Sequence, residues 1–106
     1  MRLHVRLEGI AAPETYQPGG RAAQARMHEL VDGQLVTCSI PRAEESHDRL
    51  VGTCRLQDGR DLGGVMTGEG LARDCFAYSH GRYAATQAPA ATALTLPSYC
   101  HEERRK

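Results

Sequence analysis

Val5-Arg6-Leu7-Glu8-Gly9-Ile10-Ala11-Ala12-Pro13-Glu14 sets an arginine and a glutamate eight residues apart, with a bend and a proline between them. Leu3, Val5 and Leu7 alternate with Arg2, His4 and Arg6. At the two-residue period of a strand this puts the aliphatic side chains on one face and the cations on the other. Arg6 is therefore expected to point away from the core. Gly9 permits a sharp backbone bend, while Pro13 fixes its own φ and keeps Ala12 extended, so Glu14 is presented on a defined loop. A guanidinium and a carboxylate are thus expected near one another.

Downstream, Thr15 to Gly20 reads as a loop. Arg21 to Val31 reads as a helix that caps the sheet: Ala22, Ala25, Met27, Leu30 and Val31 come close to the 3.6-residue period, and Asp32-Gly33 stops it. Its Arg21, Arg26 and His28 would reach a phosphate only if they were not simply solvated, and solvation is the usual state of charges on a helix's wet face. Gln34 to Ile40 reads as a strand closed by Pro41, and a polar loop runs from Arg42 to Arg49. Leu50 to Leu56 makes the next strand, and Gln57-Asp58-Gly59-Arg60 a turn. Asp61 is placed as the N-cap of a short helix followed by a glycine-rich turn through Gly68 and Gly70. That run lacks the lysine of a phosphate-binding P-loop, so packing is its reading. Ala84 to Ala93 is expected to form a short helix broken or restarted at Pro89, and Leu94 to Pro97 to leave it extended.

Residues 1–100 are read as a single small domain whose core is marginal, and 101–106 as a disordered, mixed-charge tail. With 13 basic and 13 acidic residues in 106, no global field attracts a polyanion; a nucleic-acid contact would need a local patch. Tryptophan is absent, phenylalanine occurs once and tyrosine four times, which argues against an extended base-stacking platform but leaves room for one or two rings. Cys38, Cys54, Cys75 and Cys100 contain no Cys-x-x-Cys pair, against a zinc ribbon or a thioredoxin-like motif. Disulfides joining Cys38 to Cys54 and Cys75 to Cys100 are the favoured pairing, with four buried free thiols as the alternative. No apolar run is long enough to span a bilayer.

The strand, loop and acid from Val5 to Glu14 resemble the core motif of the staphylococcal-nuclease-like (thermonuclease) family, which reads Gly-Ile-Asp-Ala-Pro-Glu; the aspartate position here is Ala11. The resemblance extends to about Tyr78 and includes the Gly70-Leu71-Ala72 segment. It implies an α+β fold with a mainly β core: an OB-fold-like barrel of the SNase type, lacking its first strands, with two or three packed helices. The family's upstream Asp-Gly-Asp strand pair has no counterpart before Met1, so the chain is expected to be a fragment or a reduced barrel. A reduced barrel would cover an exposed sheet edge by self-association.

The resemblance also implies a chemistry. Hydrolysis of a phosphodiester loads negative charge onto the non-bridging oxygens of a five-coordinate transition state; two arginines meet that charge and a carboxylate orients or deprotonates the water. Arg6 and Glu14 inherit two of these catalytic roles by position. Arg49 inherits the third from a loop that in the family ends Asp-Arg-Tyr-Gly-Arg, although Glu45-Ser46-His47-Asp48-Arg49 agrees only in its last residue, and a surface pairing of Arg49 with Asp48 or Glu45 stands beside that role. Phe76 and Tyr78 fall where the family packs rings beside the nucleotide, and are equally candidates for core. The family's calcium needs several oxygen ligands, which Ala11 does not supply, so no tightly bound metal and impaired or absent catalysis are expected. The alternative is a non-catalytic OB-like module binding nucleic acid or a protein; some bacterial members carry an exopolysaccharide (succinoglycan) biosynthesis label. If the disulfides form, a secreted or periplasmic location follows.

Overall fold

The computed structural model describes residues 4–43 and 49–101. The expected strand at the N-terminus is present as β1 (His4–Leu7), and Gly9 then turns the chain into β2 (Ile10–Ala11). Gly9 adopts φ +88°, and a Cβ there would lie 3.1 Å from that of Ser79 and 3.3 Å from the Tyr83 ring. Both the backbone conformation and the close approach require glycine, so the bend between the two strands is fixed by packing as well as by sequence.

Two small sheets result. β1 runs parallel to β4 (Arg49–Arg55), with Arg6 opposite Val51 and Leu7 opposite Gly52. β3 (Thr37–Ala43) lies antiparallel on the other side of β4, giving the order β1-β4-β3. The second sheet pairs β2 with β5 (Arg73–Asp74), setting Ile10 opposite Asp74 and Ala11 opposite Arg73. A parallel pair needs a crossover, and here it passes through α1 (Gly20–Val31) and β3. The architecture is α+β, a mixed sheet with three helices, in keeping with the OB-like fold that the sequence implies.

α1 starts one residue earlier than expected, at Gly20, behind Gly19 in the left-handed region at φ 85°. Gly20 presses on the backbone of the loop it follows: a Cβ there would overlap the carbonyl oxygen of Glu14. Ala23 and Leu30 are buried from this helix, and Arg26 on its polar face is held by Glu69 at 2.8 and 2.9 Å and by Glu29 at 3.3 Å. α2 (Leu62–Gly68) is capped as expected: Asp61 accepts from the Gly64 amide at 3.0 Å. The Tyr83 hydroxyl donates to the same carboxylate at 2.6 Å. Burial first, and then this bond, raises the Tyr83 pKa well above its ordinary value. Leu30, Leu62 and Met66, at 5%, 3% and 1% exposure, anchor the core with Ile10, and Val5 and Leu7 pack against it. Each such burial is worth about 1.5–3 kcal/mol.

Two expectations are corrected. Pro41 does not close its strand; β3 begins at Thr37 rather than Gln34 and continues to Ala43. The ladder shifts register between Ser39 and Arg42, so the proline, which has no N–H to donate, sits in the irregularity where no donor is needed. Ala84 to Ala93 contains no α-helix. It makes turns and then a 3-10 helix at Pro89–Ala93, starting where proline's fixed φ suits a first turn. α3 (Phe76–Ser79) and a second 3-10 helix at Ser98–Cys100 were not anticipated. Of the expected polar loop, residues 44–48 lie outside the described residues, as do 102–106 of the expected tail.

Both disulfides form in the favoured pairing, Cys38 with Cys54 and Cys75 with Cys100, and among the described residues no cysteine is free.

Candidate functional site

The bend at Gly9 opens a cleft between the end of β1, β2 and α1. Its volume is about 300 Å³, and Arg6, Ala11, Glu14 and Tyr99 line it above a floor that includes Met27 and Met66. Arg6 reaches it from the end of β1, next to Leu7, which lines the same cleft while packing against the core together with Val5. Glu14 is there because its loop is closed locally: the Gln17 side chain accepts from the Glu14 amide at 2.8 Å, and the Glu14 carbonyl accepts from the Gln17 amide at 2.8 Å. α1, seated on that carbonyl through Gly20, backs the loop.

Arg6 and Glu14 share the cleft without an ion pair between them among the described residues. Instead an Arg6 Nη donates to the Tyr99 hydroxyl at 2.8 Å, and the guanidinium carbon stands 5.3 Å from the centre of the Tyr99 ring. Arginine has five N–H donors, so this bond leaves most of its fork for an anion. Tyr99 in turn meets the edge of Tyr78 with ring centres 6.4 Å apart and planes at 65°. Tyr78 and Tyr99 are 52% and 51% exposed, which makes them a half-open aromatic pair beside a cation.

The site residues read from the sequence are thus distributed unevenly. Arg6 and Glu14 line one cleft, and Tyr78 reaches it through Tyr99. Phe76, 43% exposed in α3, stands outside the lining. Arg49 heads β4, where its backbone pairs in register with His4, and its side chain lies outside the described set.

Tyr99 was missed by sequence reasoning, yet a signal for it existed. Cys100 was paired with Cys75, the residue before Phe76, so that pairing already carried Tyr99 to the neighbourhood of Phe76 and Tyr78.

Compared with known families, residues 4–93 match the one described as staphylococcal nuclease homologue. The chain belongs to the staphylococcal nuclease family. No curated protein sequence matches it significantly. The match covers β1 through the 3-10 helix at Pro89–Ala93, and so includes Arg6, Ala11, Glu14, Arg49, Phe76 and Tyr78. Tyr99, the aromatic partner of Arg6, and Cys100 lie beyond the matched residues.

The family is generally calcium-dependent, and the donor set of this cleft fits a calcium ion poorly. Among the described residues Glu14 is its one carboxylate. Ala11, beside it in the lining, is 5% exposed and packs with Cys75, Cys100 and Leu96. A hard divalent cation takes six to eight oxygens, and the surroundings of Ala11 offer sulfur and aliphatic groups instead. Among the described residues no cluster of three or more acidic, histidine or cysteine side chains gathers to hold a metal.

Proposed function

We propose that this protein binds single-stranded nucleic acid in the Arg6–Glu14 cleft as a nuclease-like phosphodiesterase domain whose hydrolytic step is impaired or lost. One observation carries the reading: Arg6 and Glu14 line the same open cleft and leave each other unpaired there. A guanidinium aimed into an open cleft meets a phosphate bidentately, and a carboxylate nearby is placed to accept a proton from water. Arg49, given this role by the family resemblance, would add a second cation to the developing charge. Phe76 and Tyr78 would pack on the nucleotide's base or ribose.

The poor fit to calcium supports the impaired form of the activity. Without a cation bridging phosphate and water, this chain's own groups hold the ground state: Arg6 neutralises the phosphodiester and Glu14 orients water. Metal-free positioning of that kind binds better than it cleaves. The burial of Ala11 against the disulfide favours the second reading, a module that binds and does not cut. The pair of disulfides supports an extracellular or periplasmic location. β1 and β3 form the edges of the larger sheet among the described residues, which supports self-association by edge pairing.

The test is cleavage and binding of a fluorescent single-stranded DNA with and without millimolar calcium. Binding that weakens about tenfold or more in Arg6→Ala, together with slow or no cleavage, is the expected result. Wild-type protein with no affinity for the strand would overturn the reading, and rapid calcium-dependent cleavage would overturn its impaired form.

A further inference from the structure

Tyr99 lines the cleft and has no role in the chemistry above, and its position points to one. Tyr99 sits in the 3-10 helix Ser98–Cys100, immediately before a cysteine bonded to Cys75, and Cys75 directly precedes α3 with Phe76 and Tyr78. Cys75 and Cys100 are each 1% exposed, so the bond is a buried strut. On one side of it the Cys75 amide donates to the Gly9 carbonyl at 2.8 Å, tying it to the bend that shapes the cleft. On the other side Tyr99 projects outward, half exposed, with its hydroxyl on Arg6 and its ring against the edge of Tyr78.

We infer that Tyr99 is a substrate-contacting residue, a stacking wall for the base next to the phosphate that Arg6 holds, kept at the cleft by the Cys75–Cys100 disulfide. This rests on the nucleic-acid reading above and names its base subsite. Three observations converge on it. Tyr99 lines the cleft together with Arg6 and Glu14, so a ligand that reaches the cation meets the ring. The ring is half exposed although its hydroxyl is bonded, so its orientation is set while surface remains for a ligand. Its fixing is costly in covalent terms, because the segment carrying it is tied down by a disulfide rather than by a strand. Stacking on such a ring tolerates any base, because every base has a π-face, so the subsite predicts affinity for bases without strong sequence preference.

Two strands of equal length and charge decide the matter: an oligothymidine and an abasic deoxyribose-phosphate chain, each with a 5′ fluorophore, followed by anisotropy at low salt. Tyr99→Ala is expected to weaken oligothymidine binding about 5- to 150-fold and to weaken the abasic strand, through its lost bond to Arg6, by much less. Tyr99→Phe keeps the ring and is expected to retain most of the affinity for oligothymidine. Cys75→Ser/Cys100→Ser is expected to show the same base-selective loss as Tyr99→Ala. Equal weakening on both strands, or none on oligothymidine, would overturn the inference while leaving the phosphate reading of Arg6 intact. Wild-type protein that binds neither strand would bring down the nucleic-acid reading itself, and the inference with it. Tyr99 is half exposed, and a cooperative thermal melt like that of the wild type shows that its alanine variant folds.

Discussion

The two disulfides stabilise by similar amounts and do different work. Cys38 and Cys54 face each other in the β3–β4 ladder, where five register pairs already hold the strands together. Cys75 and Cys100 join β5 and α3 to a segment whose own hydrogen bonds are mostly one-turn contacts, such as the Leu94 amide to Ala91 and the Cys100 amide to Pro97. One bond repeats what a sheet does, and the other replaces a sheet that is not there. Their sequence separations of 16 and 25 residues correspond to about 3 and about 3.5 kcal/mol of loop-closure entropy removed from the unfolded chain. The stability contributions are nearly alike, so any difference between the two variants must come from what each bond positions.

The largest effect expected is therefore the loss of the C-terminal bond. Cys75→Ser/Cys100→Ser should lower unfolding free energy by about 3.5 kcal/mol in a urea titration, and should release Tyr99 from Arg6 as well. The ladder variant, Cys38→Ser/Cys54→Ser, should lose about 3 kcal/mol and leave the Tyr99 ring resonances of the folded protein where they were. If both variants move those resonances equally, the division of labour between the bonds is wrong.

Next in size are substitutions that test how the cleft is propped. Gly20→Ala would drive a methyl group into the Glu14 carbonyl, which is backbone and has little room to give. A loss on the order of 2–3 kcal/mol is expected, accompanied by displacement of Glu14 from the cleft. Ala11→Asp asks the opposite question, whether a second acid can be seated in the cleft beside Glu14. At 5% exposure beside Cys75, Cys100 and Leu96, the new carboxylate should cost on the order of 1–3 kcal/mol. Added calcium should recover little of that loss in a thermal melt. Full recovery would show that the cleft can assemble a metal site after all.

Much of this arrangement was legible in the sequence, and what was not had physical causes. The Val5–Leu7 alternation, Gly9, the Asp61 cap and the cysteine pairing are local signals, and each appears in the structure where it was expected. Pro41 misled because its missing donor says that a ladder position is vacant without saying whether the strand ends or bulges there; the shift between Ser39 and Arg42 shows that it bulges. Ala84 to Ala93 misled because alanine content reports intrinsic helix preference alone, and this segment has no amphipathic face to bury. Tyr99 was invisible to pattern because its meaning lies across 93 residues from Arg6, and only the covalent link to Cys75 brings it there.

The smallest expected effect separates the cleft from the polar cluster behind it. Tyr83, 4% exposed, donates to the same Asp61 carboxylate that caps α2. Its pKa is raised, first by burial, then by the bond to Asp61 and the charge of that carboxylate, with Arg82 and Arg55 opposing. A raised pKa means that the folded state keeps its proton where the unfolded chain has begun to lose it. The stabilisation is fully present below about pH 10, the ordinary tyrosine value, and drains away as pH rises through the folded pKa. Unfolding free energy should therefore fall more steeply between pH 10 and 11 in the wild type than in Tyr83→Phe, which removes the titrating group at a cost of about 1 kcal/mol near neutrality. Binding in the Arg6 cleft, which Tyr83 does not line, should be the same for both proteins at pH 7. A Tyr83→Phe variant that bound less well there would show that the cap of α2 and the cleft are one cooperative unit rather than two neighbours.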